Sequence, residues 1–303
     1  MSTPEVSALR PAPPQEQKVV PAPQRGSWIS AGVVVALLVA FAYVVVTGDG
    51  VRWKEIPGYL LDPTIIAGVR LTLLFTFLSM ALGLVGGLTL EVLRRSRNPV
   101  LTKLAGAYIW FFRGTPLLVQ IIFWFNIQLF IPRIAIGAFE LEMNALVSPF
   151  TAAVLALSLN EAAYMAEIIR AGLLSVDKGQ SEAATALGFT PLQALWRIIL
   201  PQALRFTIPP IGNQTISMLK TTSLVSVVAA QDLLTRAQNI YARNFLIIEL
   251  LIVASLWYLL LTTLASFIQY WIERRLSRSV EGRDIPTLRS ERRTPLPAMG
   301  EGR

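Results

Sequence analysis

The sequence predicts an all-α integral membrane protein, and three observations carry that prediction. Of the 303 residues, 53% are hydrophobic and only 15% are charged, whereas soluble proteins are about one quarter charged. Apolar runs long enough to cross roughly 30 Å of hydrocarbon recur along the chain. Lysine and arginine are concentrated in alternate segments between those runs. We therefore expect six transmembrane helices.

The N-terminal part of the chain is predicted to be a tail followed by the first transmembrane helix. Residues 1–27 contain six prolines among Gln, Ala and Ser, which predicts a disordered, Pro-rich cytoplasmic tail. The following run, WISAGVVVALLVAFAYVVV at 28–46, is uncharged and too long for the core of a signal peptide. We expect residues 28–60 to hold an additional N-terminal transmembrane helix and an external loop.

The remaining five spans are expected within residues 61–275, the transmembrane domain, and a basic cytoplasmic tail is expected at 276–303. Gly83, Gly86 and Gly87 in the second span suit close approach of another helix. Pro209 and Pro210 are expected to interrupt the fifth span. The predicted spans after the first are about 64–93, 115–131, 149–173, 206–230 and 245–271.

The distribution of basic residues predicts which side of the membrane each segment occupies. With the N-terminus inside, 20 of the 27 lysines and arginines fall on inner segments and five on outer segments. Cytoplasmic loops carry such an excess, so we expect both termini in the cytoplasm. The net charge of +8 thus indicates topology, and we expect no nucleic-acid partner. Arg94, Arg95 and Arg97, together with Arg274 and Arg275, are expected to touch anionic lipid headgroups.

Several kinds of chemistry lack their usual residues. The chain contains no Cys and no His, which excludes disulfides, thiolate zinc sites and imidazole acid–base catalysis. No G-x-x-x-x-G-K-[ST] sequence is present, so the chain has no P-loop for ATP. We expect no catalytic residue, no metal site and no cofactor.

One predicted cytoplasmic loop, residues 174–205, carries helix signals. Asp177 is placed to cap a short helix that Gly188 would end. Thr190, Pro191 and Gln193 form the pattern of a capping box that opens a second helix. The second helix is expected to place four apolar residues on one face: Leu192, Leu195, Trp196 and Ile199. These patterns leave two alternatives open, a helical pair resting on lipid headgroups or a surface for a cytoplasmic partner.

The same loop resembles the coupling loop of permease subunits of ABC importers. The family pattern is E-A-A, three residues, Gly, nine residues and I-x-L-P. This chain has Glu182-Ala183-Ala184, then Gly188, then Ile198-Ile199-Leu200-Pro201. Further stretches are similar to polar amino-acid permeases: FRGTPLLVQ (112–120), AAYMAEIIRAG (162–172), GQSEAATALG (179–188), ILPQA (199–203) and KTTSL (220–224).

The resemblance covers about residues 60–275 and implies a type I ABC importer permease core with one additional N-terminal helix, in the bacterial inner membrane. It implies two ABC ATPase subunits, a second copy of the permease or a sister permease, and an extracytoplasmic amino-acid-binding protein as partners. ATP hydrolysis would belong to the ATPase subunits. The residues that it implies for coupling to the ATPase are Gly179, Glu182, Ala183, Ala184 and Gly188.

A second Glu-Ala-Ala, at 161–163, lies inside the fourth predicted span. Charged groups at that depth are costly and usually face a cavity or a partner, and Glu161 and Lys220 are the deepest. Two alternatives remain open. They form a structural ion pair, or they line a path for a zwitterionic substrate, with Glu161 near the ammonium and Lys220 near the carboxylate. Further candidates for that path are Asn160, Tyr164, Thr222 and Ser223.

The alternative function is a secondary transporter of a small polar solute driven by an ion gradient. That mechanism predicts inverted repeats and an acidic or His relay in the spans, and the sequence shows neither a repeat nor His. A membrane enzyme would need a metal or nucleophile constellation that is missing. ATP-driven import of polar amino acids is therefore the expected function.

Overall fold

The computed structural model describes residues 25–48, 50–136 and 139–281. The chain divides into two compact units, Met1–Val51 and Arg52–Arg303. The first unit contains helix α1, Arg25–Thr47, which begins three residues before the predicted span. The tails predicted at 1–27 and 276–303 lie mostly outside the described residues.

The second unit is helical over most of its described length. Two short 3₁₀ segments cover Ile127–Leu129 and Thr222–Val228, and a π-helical turn covers Leu195–Ile199. The α-helices are α2 (Ile56–Leu60), α3 (Pro63–Arg94), α4 (Pro99–Gly114), α5 (Leu117–Phe125), α6 (Met143–Leu146), α7 (Pro149–Leu174), α8 (Lys178–Ala186), α9 (Pro191–Ala194), α10 (Leu200–Thr221), α11 (Leu233–Asn244) and α12 (Ile247–Glu281).

Four of these helices share one start signal, a capping side chain followed by proline. The side chain accepts a hydrogen bond from a backbone N–H in the first turn, and proline fills a position whose own N–H would have no helical partner. These signals are local in sequence and therefore readable from it. The pairs are Asp62–Pro63, Asn98–Pro99, Ser148–Pro149 and Thr190–Pro191.

The predicted all-α membrane fold is confirmed in its main features. Among the described residues, α3, α7 and α12 are long and apolar enough to cross a membrane, and α4 with α5 makes a fourth span if the bent pair counts as one. The number six therefore stays a prediction. One exception to the all-helical pattern is a small antiparallel hairpin between α5 and α6, formed by β1 (Arg133–Ile136) and β2 (Phe139–Glu142).

The prediction of one continuous helical span over 115–131 is wrong, because α5 covers only Leu117–Phe125 of it. The segment before it is a helix, α4, and α4 and α5 meet at an angle of 103°. Pro116 has no N–H to donate and disfavours helical geometry at the preceding residue, and Thr115 is indeed extended. The bend therefore follows from the Thr115–Pro116 dipeptide.

The fifth predicted span, 206–230, is also placed differently. Helix α10 begins at Leu200 and continues through Pro209 and Pro210 without a break. It ends at Thr221, and the 3₁₀ segment then carries the chain to Val228. The expected interruption is thus wrong, in keeping with the tolerance of membrane helices for proline when neighbouring groups satisfy the freed carbonyls.

Helix α7 is the centre of the second unit and packs against α3, α4, α5 and α10. Its contact with α3 is set by glycines. A Cβ atom at Gly83 would lie 2.5 Å from Cγ of Glu161, and one at Gly87 would lie 2.5 Å from Cβ of Met165. The predicted close approach at these glycines is confirmed, because no larger side chain fits between the two helices without displacement.

Candidate functional site

The loop that joins α7 to α10 folds into the predicted pair of short helices. The Asp177 carboxylate accepts a hydrogen bond from the backbone N–H of Gly179 at 2.7 Å and caps α8. Gly188 adopts φ of +79°, and its N–H donates to the Thr185 carbonyl while the N–H of Phe189 donates to the Ala184 carbonyl. This is a Schellman C-terminus, which requires the left-handed conformation that glycine adopts without strain. Both predicted caps are confirmed.

The second helix opens with the predicted capping box. Oγ1 of Thr190 accepts from the backbone N–H of Gln193 at 3.3 Å, and Oε1 of Gln193 accepts from the N–H of Thr190 at 2.9 Å. Helix α9 then passes through the π-helical turn directly into α10, with the Leu200 N–H donating to the Leu195 carbonyl. The loop is therefore joined to α10 by continuous helical backbone.

The four residues of the expected apolar face differ in their exposure. Leu192 and Trp196 are 64% and 62% exposed, whereas Leu195 and Ile199 are half-buried. The π-helical turn adds one residue to that turn and so shifts the register of the face. The exposed pair, with Leu187 at 76% exposure, leaves apolar surface of the kind that marks interaction sites.

One face of α8 carries most of the predicted coupling residues. Gly179, Glu182 and Ala183 are exposed and stand three and four residues apart, so they share a face that continues to Leu187. Ala184 differs from them, because it is only 1% exposed. Its methyl group is buried, so Ala184 is not part of that exposed face.

Glu161 is buried in the middle of α7, at 1% exposure. Its Oε2 accepts a hydrogen bond from Nε2 of Gln214 on α10 at 3.0 Å. Its Oε1 is buried without a hydrogen-bond partner among the described residues. The side chain is therefore hydrogen-bonded through only one of its two oxygens within the part of the chain that the structure describes.

Lys220 does not pair with Glu161 in the described structure. Its side chain is exposed in the last turn of α10, six residues beyond Gln214. At about 100° per residue, that spacing places Lys220 on a different side of α10 from the side that meets Glu161. The prediction of a structural ion pair is therefore wrong. Glu161 accepts a hydrogen bond from Gln214 instead.

The side chain of Asn160 forms hydrogen bonds at the bend between α4 and α5. Its Nδ2 donates to the Phe112 carbonyl at 2.8 Å and to Oε1 of Gln120 at 3.2 Å. Gln120 also donates to the Phe112 carbonyl, at 3.0 Å, and to Oγ1 of Thr115, at 2.7 Å. The bend leaves the last carbonyls of α4 without helical partners, and these two amides satisfy one of them.

The other candidate path residues lie in separate environments. Oγ1 of Thr222 donates to the Leu219 carbonyl, and Oγ of Ser223 donates to the Lys220 carbonyl. Tyr164 lies one turn from Glu161, with the Arg113 guanidinium over its ring at 5.5 Å. No hydrogen bond among the described residues joins these side chains to Glu161.

Sequence reasoning missed two features around these residues. Gln214 is an uncharged polar residue within an apolar span, a signal that a search restricted to charged residues overlooks. The second feature is a set of three arginines from three helices around Glu167: Arg94 at 2.6 Å, Arg170 at 2.8 Å and Arg113 at 3.8 Å. The part of the chain that the structure describes holds no group of three or more carboxylates of the kind that binds a metal.

Comparison with known proteins identifies the family. Residues 79–278 match the family described as the binding-protein-dependent transport system inner membrane component. An arginine transport system permease protein of Corynebacterium glutamicum is 40% identical over 269 residues, covering 88% of this chain and 85% of that protein. A glutamine transport system permease protein of Escherichia coli K12 is 37% identical over 215 residues, covering 71% and 93%.

Solved structures agree with this match. The crystal structure of an amino acid ABC transporter with histidines superimposes with a TM-score of 0.66 at 36% identity, covering 74% of this chain and 99% of that chain. The MetNI methionine ABC transporter, inward facing, shares the fold with a TM-score of 0.55 at 22% identity. The chain therefore belongs to the binding-protein-dependent transport system inner membrane component family and is a multi-pass permease of the ABC transporter type.

Proposed function

We propose that this chain is the permease subunit of an ATP-driven importer of polar amino acids in the bacterial inner membrane, with ATP hydrolysed by partner subunits. The observation that carries the proposal is the exposed face of α8, which is held by caps at both ends and joined to the membrane helices on both sides. Relatives named for arginine and glutamine transport support the amino-acid substrate.

The coupling mechanism follows from how α8 is attached. A three-residue link, 175–177, joins it to α7, and α9 with the π-helical turn joins it to α10. An ATPase that docks on Glu182 and Ala183 would therefore move α7 and α10 together or apart. These two helices meet in the membrane at Glu161 and Gln214, so nucleotide-driven movement would change the surroundings of the Glu161 carboxylate.

Glu161 and Lys220 remain the proposed path residues, at different depths. Lys220 lies six residues beyond Gln214 along α10, about 9 Å at 1.5 Å per residue. An α-amino acid carries its ammonium and carboxylate on one carbon atom, so the two residues would meet the substrate in succession. In this proposal Lys220 receives the carboxylate nearer the outer side, and the free Oε1 of Glu161 receives the ammonium at the centre.

The proposed complex has the partners that this mechanism needs. Two ABC ATPase subunits would dock on the cytoplasmic loops of two permeases, which are either two copies of this chain or this chain and a sister permease. An extracytoplasmic amino-acid-binding protein would deliver the substrate. The excess of lysine and arginine on the predicted inner segments supports a cytoplasmic position for both termini and for α8.

The test is substrate uptake by proteoliposomes that contain the complete complex with ATP enclosed on the ATPase side. We expect uptake that requires hydrolysable ATP and continues when ionophores dissipate all ion gradients. A non-hydrolysable ATP analogue serves as the matched control. Uptake that persists with the analogue and stops with ionophores would establish the secondary transporter instead.

A further inference from the structure

The cluster around Glu167 borders a cavity whose lining includes neither Glu161 nor Lys220. The cavity has a volume of about 440 Å³ and lies between the last residue of α3, the second half of α4 and the part of α7 around Tyr164 and Glu167. Its polar lining comes from Arg94, Arg113, Tyr164 and Glu167, and Trp110 forms an exposed aromatic side at 77% exposure.

The cluster has more positive than negative charge. Glu167 is the one carboxylate that the structure places in contact with Arg94, Arg113 and Arg170, which leaves two positive charges without compensation within this described group. Arg170 binds Oε2 of Glu167 through both Nε and Nη2. Arg94 donates through Nη1 alone, and its other N–H groups donate to no residue that the structure describes.

Of the three arginines around Glu167, Arg113 makes the fewest polar contacts with described residues. Its Nη1 is 3.8 Å from Oε1 of Glu167, beyond hydrogen-bonding distance, and its remaining contact is with the face of the Tyr164 ring. No hydrogen bond from its guanidinium is found among the described residues. A guanidinium presents five N–H donors in a fork that matches the oxygens of a phosphate or carboxylate.

The depth of the cluster matches the inner surface of the membrane. Helix α7 has 26 residues and is about 39 Å long, against roughly 30 Å of hydrocarbon. Counted from Pro149, the hydrocarbon would end near residue 169, between Glu167 and Arg170. Lipid phosphates lie just beyond that boundary, and tryptophan is enriched there.

We propose that this cavity binds a phosphate oxyanion through Arg113 and Arg94, and that the phosphate belongs to an anionic phospholipid of the inner leaflet. Basic pockets between membrane helices on the cytoplasmic side bind such headgroups. The two surplus charges and the free donors select an anion, and the depth favours a lipid over a soluble ligand.

The experiment measures lipid binding to the delipidated permease–ATPase complex by native mass spectrometry. The probes are short-chain phosphatidylglycerol and short-chain phosphatidylcholine. We expect tighter binding of phosphatidylglycerol, and a loss of about tenfold in its affinity in Arg113→Gln, as expected for one charge-assisted hydrogen bond. This variant leaves Glu167 paired with Arg94 and Arg170. If it fails to assemble, Arg94→Gln is measured in its place, with the same expected loss.

The matched control is Arg97→Gln, which removes an exposed arginine of the same predicted membrane surface outside the cavity. An equal loss of affinity in this control would overturn the proposal in favour of diffuse attraction to the basic surface. Displacement of phosphatidylglycerol by inorganic phosphate at equal concentration would show a soluble-phosphate site. Displacement by L-glutamine would show a site for the substrate carboxylate, and unchanged affinity in Arg113→Gln would exclude the cavity altogether.

Discussion

Nε2 of Gln214 on α10 donates a hydrogen bond across 3.0 Å to Oε2 of Glu161 on α7. The two residues are 53 positions apart in sequence and join the two helices that leave opposite ends of the α8–α9 loop. The bond thus joins Glu161, a residue of the proposed substrate path, to α10, the helix that continues from the loop proposed to bind the ATPase. Because Oε1 of Glu161 has no partner among the described residues, this carboxylate is satisfied on one side only.

Glu161→Gln should reduce transport while the protein still folds. Glutamine has nearly the same volume and its amide oxygen still accepts the hydrogen bond from Gln214, whereas the negative charge proposed to meet the substrate ammonium is lost. Uptake kinetics in proteoliposomes and thermal stability in detergent separate the two effects. Should Glu161→Gln transport every substrate with the native kinetics, the proposed role of Glu161 in the path is wrong.

Asn160→Ala should lower stability more than it alters substrate affinity. The substitution removes two donated hydrogen bonds at the α4–α5 bend, and loss of such buried bonds costs about 1–3 kcal/mol. Thermal unfolding of the detergent-solubilised complex measures this loss, with Asn126→Ala, at an exposed amide bonded within its own turn, as a control. A native melting temperature with a changed KM would instead place Asn160 in the substrate path.

Gly87→Ala should destabilise the contact between α3 and α7. The added Cβ would lie 2.5 Å from Cβ of Met165 and 2.8 Å from the backbone nitrogen of Ala166, and overpacking of this kind costs about 1–3 kcal/mol. Gly106→Ala in α4 is the matched control, because nothing lies within 4 Å of its added Cβ. We expect a lower melting temperature for Gly87→Ala alone, and equal melting temperatures would contradict the glycine contact.

Gly188→Ala should weaken coupling by straining the end of α8. At φ of +79° a Cβ atom costs about 1–2 kcal/mol, although the space around it is open. Asparagine adopts this conformation more readily, so Gly188→Asn is the matched control. We expect reduced transport-coupled ATP hydrolysis in Gly188→Ala and a smaller loss in Gly188→Asn. The reverse order would show that the left-handed turn is not what matters at this position.

Local signals account for what the sequence predicted well. The cap of Asp177, the turn at Gly188 and the capping box of Thr190 each involve residues within a few positions of one another. The length and apolarity of α3, α7 and α12 are likewise local properties. These features needed no knowledge of the three-dimensional arrangement.

The features that the sequence did not predict depend on contacts between residues far apart in the chain. The bond of Asn160 to the Phe112 carbonyl spans 48 positions, and that of Gln214 to Glu161 spans 53. The charge and predicted depth of Glu161 and Lys220 leave an ion pair between them open as one alternative, yet the rotation of α10 between Gln214 and Lys220 separates the two side chains. Burial of Ala184 beside exposed Ala183 similarly depends on how α8 packs on the following turn.

The exposed face of α8 is the surface that we propose meets the ATPase. Because the chain has no cysteine, single cysteines can be introduced without background and tested for disulfide crosslinking to a cysteine in the ATPase surface that receives the loop. Ala183→Cys should crosslink, because Ala183 is exposed beside Glu182. Ala162→Cys in the middle of α7 should not, because Ala162 is 4% exposed and lies about 18 Å along the helix from Phe150 at 1.5 Å per residue. Crosslinking from position 162, or its absence from position 183 in an assembled complex, would contradict the account.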